Sequence, residues 1–337
     1  MRKYLFWLFM SILPFLSYAQ TVTYHNLVFE GGGIRGIAYS GVIKVLEQEH
    51  MLPGIQKVGG TSAGAITALM VALGYSSEEI YHLADETPFE QFNDGKYWFA
   101  GGWSRMRRHY GWYRKQAFER WLGDVISRKT GNADITFTAM QAAGYKSLYV
   151  TGTCLNRQQL LVFSRETYPD MKVKDAVSIS MSIPLYFEAS FIDAQGKVYR
   201  GKRMPPGLDI VVDGGLTGNF PIFLFDRIDN TVQPALRIPN PATLGVRIDE
   251  PEQISLDGQQ TGTLAPASIR NLNSYIAALY VYTIENLNRN TLTQADWDRT
   301  ISISSAGIGP RIRKLSESEK QQLISSGAAY TKQFLEK

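Results

Sequence analysis

Gly60-Thr61-Ser62-Ala63-Gly64 sets a serine between two glycines, after the short run Lys57-Val58-Gly59 and before the alanine-rich stretch Ala63 to Leu73. A G-x-S-x-G sequence in that setting predicts a strand that turns abruptly into a helix, with Gly60 and Gly64 relieving the crowding and the serine hydroxyl exposed at the turn. Such a serine is a candidate nucleophile. The plainer reading is an N-cap for the following helix, and one residue can serve as both. In the common hydrolase triad an acid follows the serine and a histidine follows the acid. Here the 4 histidines end at His109, while Asp213-Gly214-Gly215 comes far downstream. Either Ser62 is not catalytic or its base is not a histidine, and Asp213 is the best placed alternative.

Upstream, Asn26-Leu27-Val28-Phe29-Glu30 is an apolar run that enters Gly31-Gly32-Gly33-Ile34-Arg35-Gly36. Val42, Ile43, Val45 and Leu46 then recur at helical spacing, so strand, glycine turn and helix form a unit that is repeated around Ser62. The glycines fit the dinucleotide fingerprint G-x-G-x-x-G, but that fingerprint wants an acid at the end of the next strand, and here that strand runs into Ser62. No Gly-Lys-Ser or Gly-Lys-Thr follows to make a Walker loop. The same turn makes sense as a cradle whose backbone N–H groups hold an oxyanion, with Arg35 bracing the loop or adding positive potential. A tight turn without a ligand is the bland alternative.

Further along, Ser76-Ser77-Glu78-Glu79 opens a capped helix, and Ser147 to Thr153, Gln159 to Phe163 and Ile210 to Asp213 read as strands. Val173 to Met181 reads as a helix. Pro234 to Pro266 is expected to be loop-dominated apart from a strand at Thr243 to Ile248. Ala267 to Asn288 is expected to be a long helix with Leu272, Tyr275, Ile276, Leu279 and Tyr280 on its inner face. A strand at Thr300 to Ser304 and a last helix from Ser316 complete the chain. Strands alternating with helices predict an α/β fold with a mainly parallel sheet covered on both faces.

Taken together, Gly31 to Gly36, Gly60 to Gly64 and Asp213 to Gly215 resemble, in order, the three motifs of the patatin-like phospholipase family. Ser178-Ile179-Ser180-Met181-Ser182-Ile183-Pro184 with Phe187 looks like the family's segment before the aspartate, and Asn219 and Pro221 look like the rest of its aspartate loop. The final helix, with Leu323, Ile324 and Gly327, is also similar. The likeness runs from about Leu27 to Leu335 and is weakest over Pro234 to Pro266 and over Phe89 to Trp121. It implies a three-layer α/β/α domain and a Ser-Asp dyad: Ser62 attacks an ester carbonyl, Asp213 takes the serine proton, and the N–H groups of Gly32, Gly33 and Ile34 meet the oxyanion. On general grounds the Ala63 N–H is a further donor. The implied substrate is a glycerolipid or another acyl ester. Lysophospholipase, short-chain esterase or acyltransferase chemistry, or a lipid-binding module without turnover, are the alternatives.

The 337 residues, 44% hydrophobic and 20% charged, suffice for one large domain, here 20–337 with its core at about 27–221 and a C-terminal helical part at about 267–337. Arg2 and Lys3 precede an apolar run to about Leu16, and Ser17-Tyr18-Ala19 offers a cleavage site, so residues 1–19 read as a signal peptide that exports the protein to the periplasm, the cell envelope or beyond. Cys154 is the only cysteine, reads as buried packing and excludes an internal disulfide. No metal or cofactor is expected. Phe89 to Trp121 interleaves aromatics with Arg105, Arg107, Arg108, Arg114, Lys115 and Arg120, which suits either a core with a solvated face or peripheral contact with a membrane surface. A net charge of +4 gives no support to nucleic-acid binding.

Overall fold

Asn26–Phe29 (β1), Lys57–Gly60 (β2), Ser147–Cys154 (β3), Gln159–Phe163 (β4), Ser190–Ile192 (β5), Val198–Tyr199 (β6), Asp209–Asp213 (β7), Thr243–Asp249 (β8) and Thr300–Ser304 (β9) form one 9-stranded sheet. The computed structural model describes residues 23–337 apart from 88, 96–97, 202–203, 260–262 and 290. The expected leader lies outside the described residues. Strands follow the order β9-β8-β1-β2-β3-β7-β5-β6, with β4 paired to β3 off this path. The five strands from β9 to β3 run parallel. β4, β5, β6 and β7 extend the sheet antiparallel, an extension that the alternation of strands and helices did not announce.

All residues of β1 and β8 are buried, as expected for strands covered on both faces, and those of β8 include the charged Arg247 and Asp249. Successive residues of β2 show the two covers. A side chain at Gly59 would meet Leu224 and Phe225, whereas one at Gly60 would meet the backbone of Gly64 and Ala65. The second cover is Ala63–Ala72 (α2), apolar all round and buried at nine of its ten residues, which is what a central helix requires. Ala38–Gln48 (α1), Ser77–Glu86 (α2's successor, α3), Trp98–His109 (α4), Gln116–Thr130 (α5), Val173–Ser180 (α6), Pro251–Gly258 (α7), Leu272–Arg289 (α8) and Glu317–Leu335 (α9) are the other principal helices. α3 and α9 both open on the Ser-x-x-Glu capping box that the sequence shows.

Two expectations change. Within the segment read as loop, α7 forms because Pro251 stands at its first turn, where the missing N–H costs nothing and the fixed φ suits a helix. α8 begins at Leu272 rather than Ala267, and Tyr275 and Leu279, assigned to its inner face, are exposed at 53% and 55%. Ile284 and Asn288 of α8 instead meet the loop after β7. The side chains of Leu272, Ile276 and Tyr280 lie outside the described residues. Among the described residues no helix is long and apolar enough to cross a membrane.

Candidate active site

Strand register brings Ser62 and Asp213 together. Val150 of β3 pairs with Gly60 of β2 and with Phe163 of β4, so β2 and β4 lie on opposite edges of β3. Gly152 to Cys154 pair with β4 and with β7, which puts β7 opposite β4 as well. β2 and β7 therefore share one edge. One runs parallel to β3 and the other antiparallel, so their C-terminal ends point at each other. Gly60 is level with Val150 and Asp213 with Gly152, a gap of about 7 Å along the strand. β2 has to leave the sheet at Thr61 and Ser62, and the serine turn is how it leaves.

Ser62 has φ 53 and ψ −123, a backbone state that L residues rarely adopt and that surrounding contacts must hold. Its N–H donates to Ser180 Oγ at 2.8 Å, and Thr61 Oγ1 lies 2.6 Å from Thr151 Oγ1 and donates to the Gly218 carbonyl at 2.6 Å. The turn also presses α2 against β1: a Cβ on Gly64 would stand 2.4 Å from the carbonyl oxygens of both Phe29 and Glu30. Ser62 makes no side-chain cap bond to α2, so the N-cap role expected of its hydroxyl is not taken up. That hydroxyl donates to Met181 Sδ at 3.3 Å and also interacts with the Asp213 carboxyl.

Asp213 is 2% exposed, and among the described residues no cation pairs with it. Burial pushes its carboxyl up to about 7, against the pull of the Gly215 N–H, which donates to Oδ1 at 2.7 Å, and of the Ser62 hydroxyl. Its own N–H donates to the Ser182 carbonyl at 2.9 Å. A Cβ on Gly214 would sit 2.3 Å from Thr151 Oγ1, so Gly214 and Gly215 let the chain turn tightly beside β3. A carboxyl that titrates near neutrality beside a serine can take a hydroxyl proton, which an ordinary exposed aspartate does poorly.

The glycine turn lies against both motifs. Asn219 Nδ2 donates to the Gly31 carbonyl at 3.2 Å and to Glu30 Oε1 at 3.3 Å, and the Gly31 N–H donates to the Asn219 carbonyl at 3.0 Å. A Cβ on Gly31 would stand 3.3 Å from that of Ser62, and one on Gly36 3.0 Å from that of Ala63. Arg35 braces the loop, donating through Nε to the Gly32 carbonyl at 3.2 Å, with Glu250 at 3.8 Å. The Ile34 N–H departs from its expected role, since it donates to the Pro310 carbonyl at 3.3 Å. Among the described residues no such loop bond occupies the amides of Gly32, Gly33 or Ala63. The last of these opens α2, whose N-terminus favours negative charge.

Beside the serine is a cavity of about 320 Å³, lined by Gly33, Ile34, Ala63 and Met181 on the serine's side and elsewhere by Ile80, Phe92, Phe118, Trp121 and Phe187, with Asp85, Arg313, Lys314 and Lys320 supplying charge. Its aromatic wall resolves part of the unusual segment: Phe92 packs on Phe118 and Trp121 at 5.1 and 5.5 Å between ring centres. Trp103 and Tyr110 are exposed, and the side chains of Phe89, Tyr97, Trp98 and Phe99 lie outside the described residues. Lys115 is no surface cation. It is buried, donates to Ser182 Oγ at 2.6 Å and to Ser190 Oγ at 2.7 Å, and burial pushes it down to about 8. Nothing in the sequence separates it from neighbouring cations. Among the described residues there is no cluster of His, Cys, Asp and Glu fit to hold a metal ion.

A mainly parallel sheet with a serine turn and an aspartate strand meeting on one edge defines an α/β protein in which a serine and a buried carboxyl share one site. The profile of the patatin-like phospholipases matches residues 27–226, and the chain belongs to that family. It is 33% identical over 214 residues to YqhO of Bacillus subtilis, an uncharacterized protein, covering 60% of this chain and 67% of that one. It is 25% identical over 208 residues to 463L of invertebrate iridescent virus 6, named a probable lipid hydrolase, covering 61% and 65%. The chain thus spans about two thirds of the length of these relatives. Among solved structures, VipD from Legionella pneumophila superposes with a TM-score of 0.57 at 15% identity, over 93% of this chain and 67% of that one. The ExoU-SpcU complex of Pseudomonas aeruginosa gives 0.50 at 20%, over 93% and 51%. These likenesses show the fold.

Proposed function

We propose that this protein is an exported serine esterase that releases acyl chains from glycerolipids, with Ser62 as nucleophile and Asp213 as base. The observation that carries this reading is the buried Asp213 carboxyl, with no cation paired to it among the described residues, beside a serine in a strained turn. Asp213 takes the Ser62 proton as Oγ attacks the ester carbonyl, and the oxyanion is met by the amides of Gly32, Gly33 and Ala63. Asp213 returns the proton to the leaving alcohol. Water then attacks the acyl-serine, again giving a proton to Asp213, and Ser62 is restored as the fatty acid departs. An alcohol in place of water would make the same site an acyltransferase. The apolar cavity supports an acyl chain as the group held next to the serine, and the sequence of residues 1–19 supports export. The exposed Trp103 and Tyr110 suit peripheral contact with a membrane surface.

The test is fatty-acid release from defined phospholipid vesicles by the wild type, Ser62→Ala and Asp213→Asn. Each variant is expected to lose about 10³-fold or more in rate while keeping its fold. Full activity in Asp213→Asn removes the base from the scheme. A wild type that binds the vesicles but releases no fatty acid is a lipid-binding module instead.

A further inference from the structure

Residues 180–182 touch the two reacting side chains' supports at three successive positions. Ser180 Oγ accepts the Ser62 N–H at 2.8 Å, Met181 Sδ accepts the Ser62 hydroxyl at 3.3 Å, and the Ser182 carbonyl accepts the Asp213 N–H at 2.9 Å. Of the outer two, the Ser182 contact is anchored. Ser182 is pinned by Lys115 at 2.6 Å and by its own bond to the Ser178 carbonyl at 3.0 Å. The middle contact differs in kind, because a methionine side chain turns about three bonds and its sulfur is a weak acceptor. Met181 also lines the cavity beside Ser62.

A hydroxyl shared with a thioether is only partly engaged by the neighbouring carboxylate, with which Ser62 also interacts. We propose that Met181 is a positioning residue that shares the Ser62 hydroxyl with Asp213 while the cavity is empty, and that an acyl chain entering the cavity displaces the thioether and hands the hydroxyl wholly to the base. This rests on the assignment of Ser62 and Asp213 made above. It makes the substrate's own chain the trigger for nucleophile activation, so that small esters that leave the cavity unfilled meet a sluggish serine.

The test compares Met181→Leu, which nearly conserves volume but has no acceptor, with Met181→Gln, which offers a stronger acceptor at similar reach. Both are reacted with a short-alkyl and a long-alkyl fluorophosphonate, alongside the wild type and Ser62→Ala. With the short probe, Met181→Leu is expected to label about three- to tenfold faster than the wild type, the range that one hydrogen bond supports, and Met181→Gln to label more slowly. With the long probe the three proteins should converge. The acid limb of labelling should move to lower pH in Met181→Leu, because a hydroxyl bonded to Asp213 stabilises its carboxylate. Equal slowing of both variants, or rates and limbs that stay with the wild type, overturns the proposal while leaving the Ser62 assignment intact. Failure of both probes to label folded wild type removes that assignment and the latch with it.

Discussion

At the scale of the residue, Asp213 ties activity and stability to pH in opposite senses. Its folded value of about 7 lies above that of an unfolded aspartate, so the native state holds a proton that the unfolded chain gives up between these two values. The stabilisation linked to this group is therefore fully present below about pH 4 and is lost as pH rises through about 7. Activity runs the other way, because only the carboxylate takes a proton from Ser62. The expected result is a kcat/KM that climbs with an apparent pKa near 7, while the thermal midpoint declines from about pH 4 and levels off above about 7. Asp213→Asn should be inactive, yet more heat-stable than the wild type at pH 8, by a margin that narrows towards pH 5 and closes near pH 4. Midpoints of variant and wild type that stay parallel from pH 5 to 8 would count against the buried, unpaired carboxyl. Ser62 and Asp213 were legible in the sequence because glycines stand on both sides of the serine and directly after the aspartate, where a side chain would clash with neighbouring atoms. Lys115, Met181 and the engagement of Ile34 were not, since each depends on what a distant segment places opposite it.

At the scale of the element, the tightest joint is between α1 and α9, and two glycines permit it. A Cβ on Gly41 would fall 2.0 Å from the Ile324 carbonyl oxygen, and one on Gly327 would fall 2.1 Å from that of Ala38. Backbone lies against backbone there, so a methyl group can be admitted only by moving a helix. Gly327→Ala should destabilise the protein by about 1–3 kcal/mol, the usual cost of overpacking, despite the better helix propensity of alanine. Denaturant unfolding checks this, and a midpoint equal to or above that of the wild type would show that the helices part easily. The capped starts of α3 and α9 were readable because a capping box is local, with Ser76 and Glu79, or Ser316 and Glu319, supplying both partners. The inner face of α8 was not. From Leu272 to Ile284 apolar residues occur on every side and no charge interrupts them, so spacing alone selects no face. Tyr275 and Leu279 turn outward because Ile284 and Asn288 are what meet Gly215 and Asn219.

At the scale of the whole molecule, the family match ends at residue 226, yet the sheet does not. β8 lies between β9 and β1, so the strand that leads into the glycine turn has a partner from the C-terminal third along its whole length. The same third completes a buried ion network. Arg247 pairs with Asp249 at 2.7 Å, Glu285 at 3.4 Å and Glu30 at 3.5 Å, and Arg289 with Asp249 at 2.7 Å, while Trp297 lies 5.1 and 5.7 Å beneath the two guanidinium groups. Glu30 immediately precedes the turn that faces Ser62, and burial pushes its carboxyl upward, so without Arg247 it would keep, among the described residues, only the neutral donors Asn219 Nδ2 and Ile248 N–H beside the like charges of Asp249 and Glu285. A chain ending at 226 would also bare one edge of β1 and leave α1 without α9. Residues 20–226 alone are therefore expected not to fold: they should give poorly dispersed amide resonances and no cooperative thermal transition, whereas residues 20–337 should unfold in a single step. Cooperative unfolding of the shorter chain, with Ser62 still reactive towards a fluorophosphonate, would show that the matched segment carries the site unaided and that β8 and the Arg247 network are additions to it rather than its support.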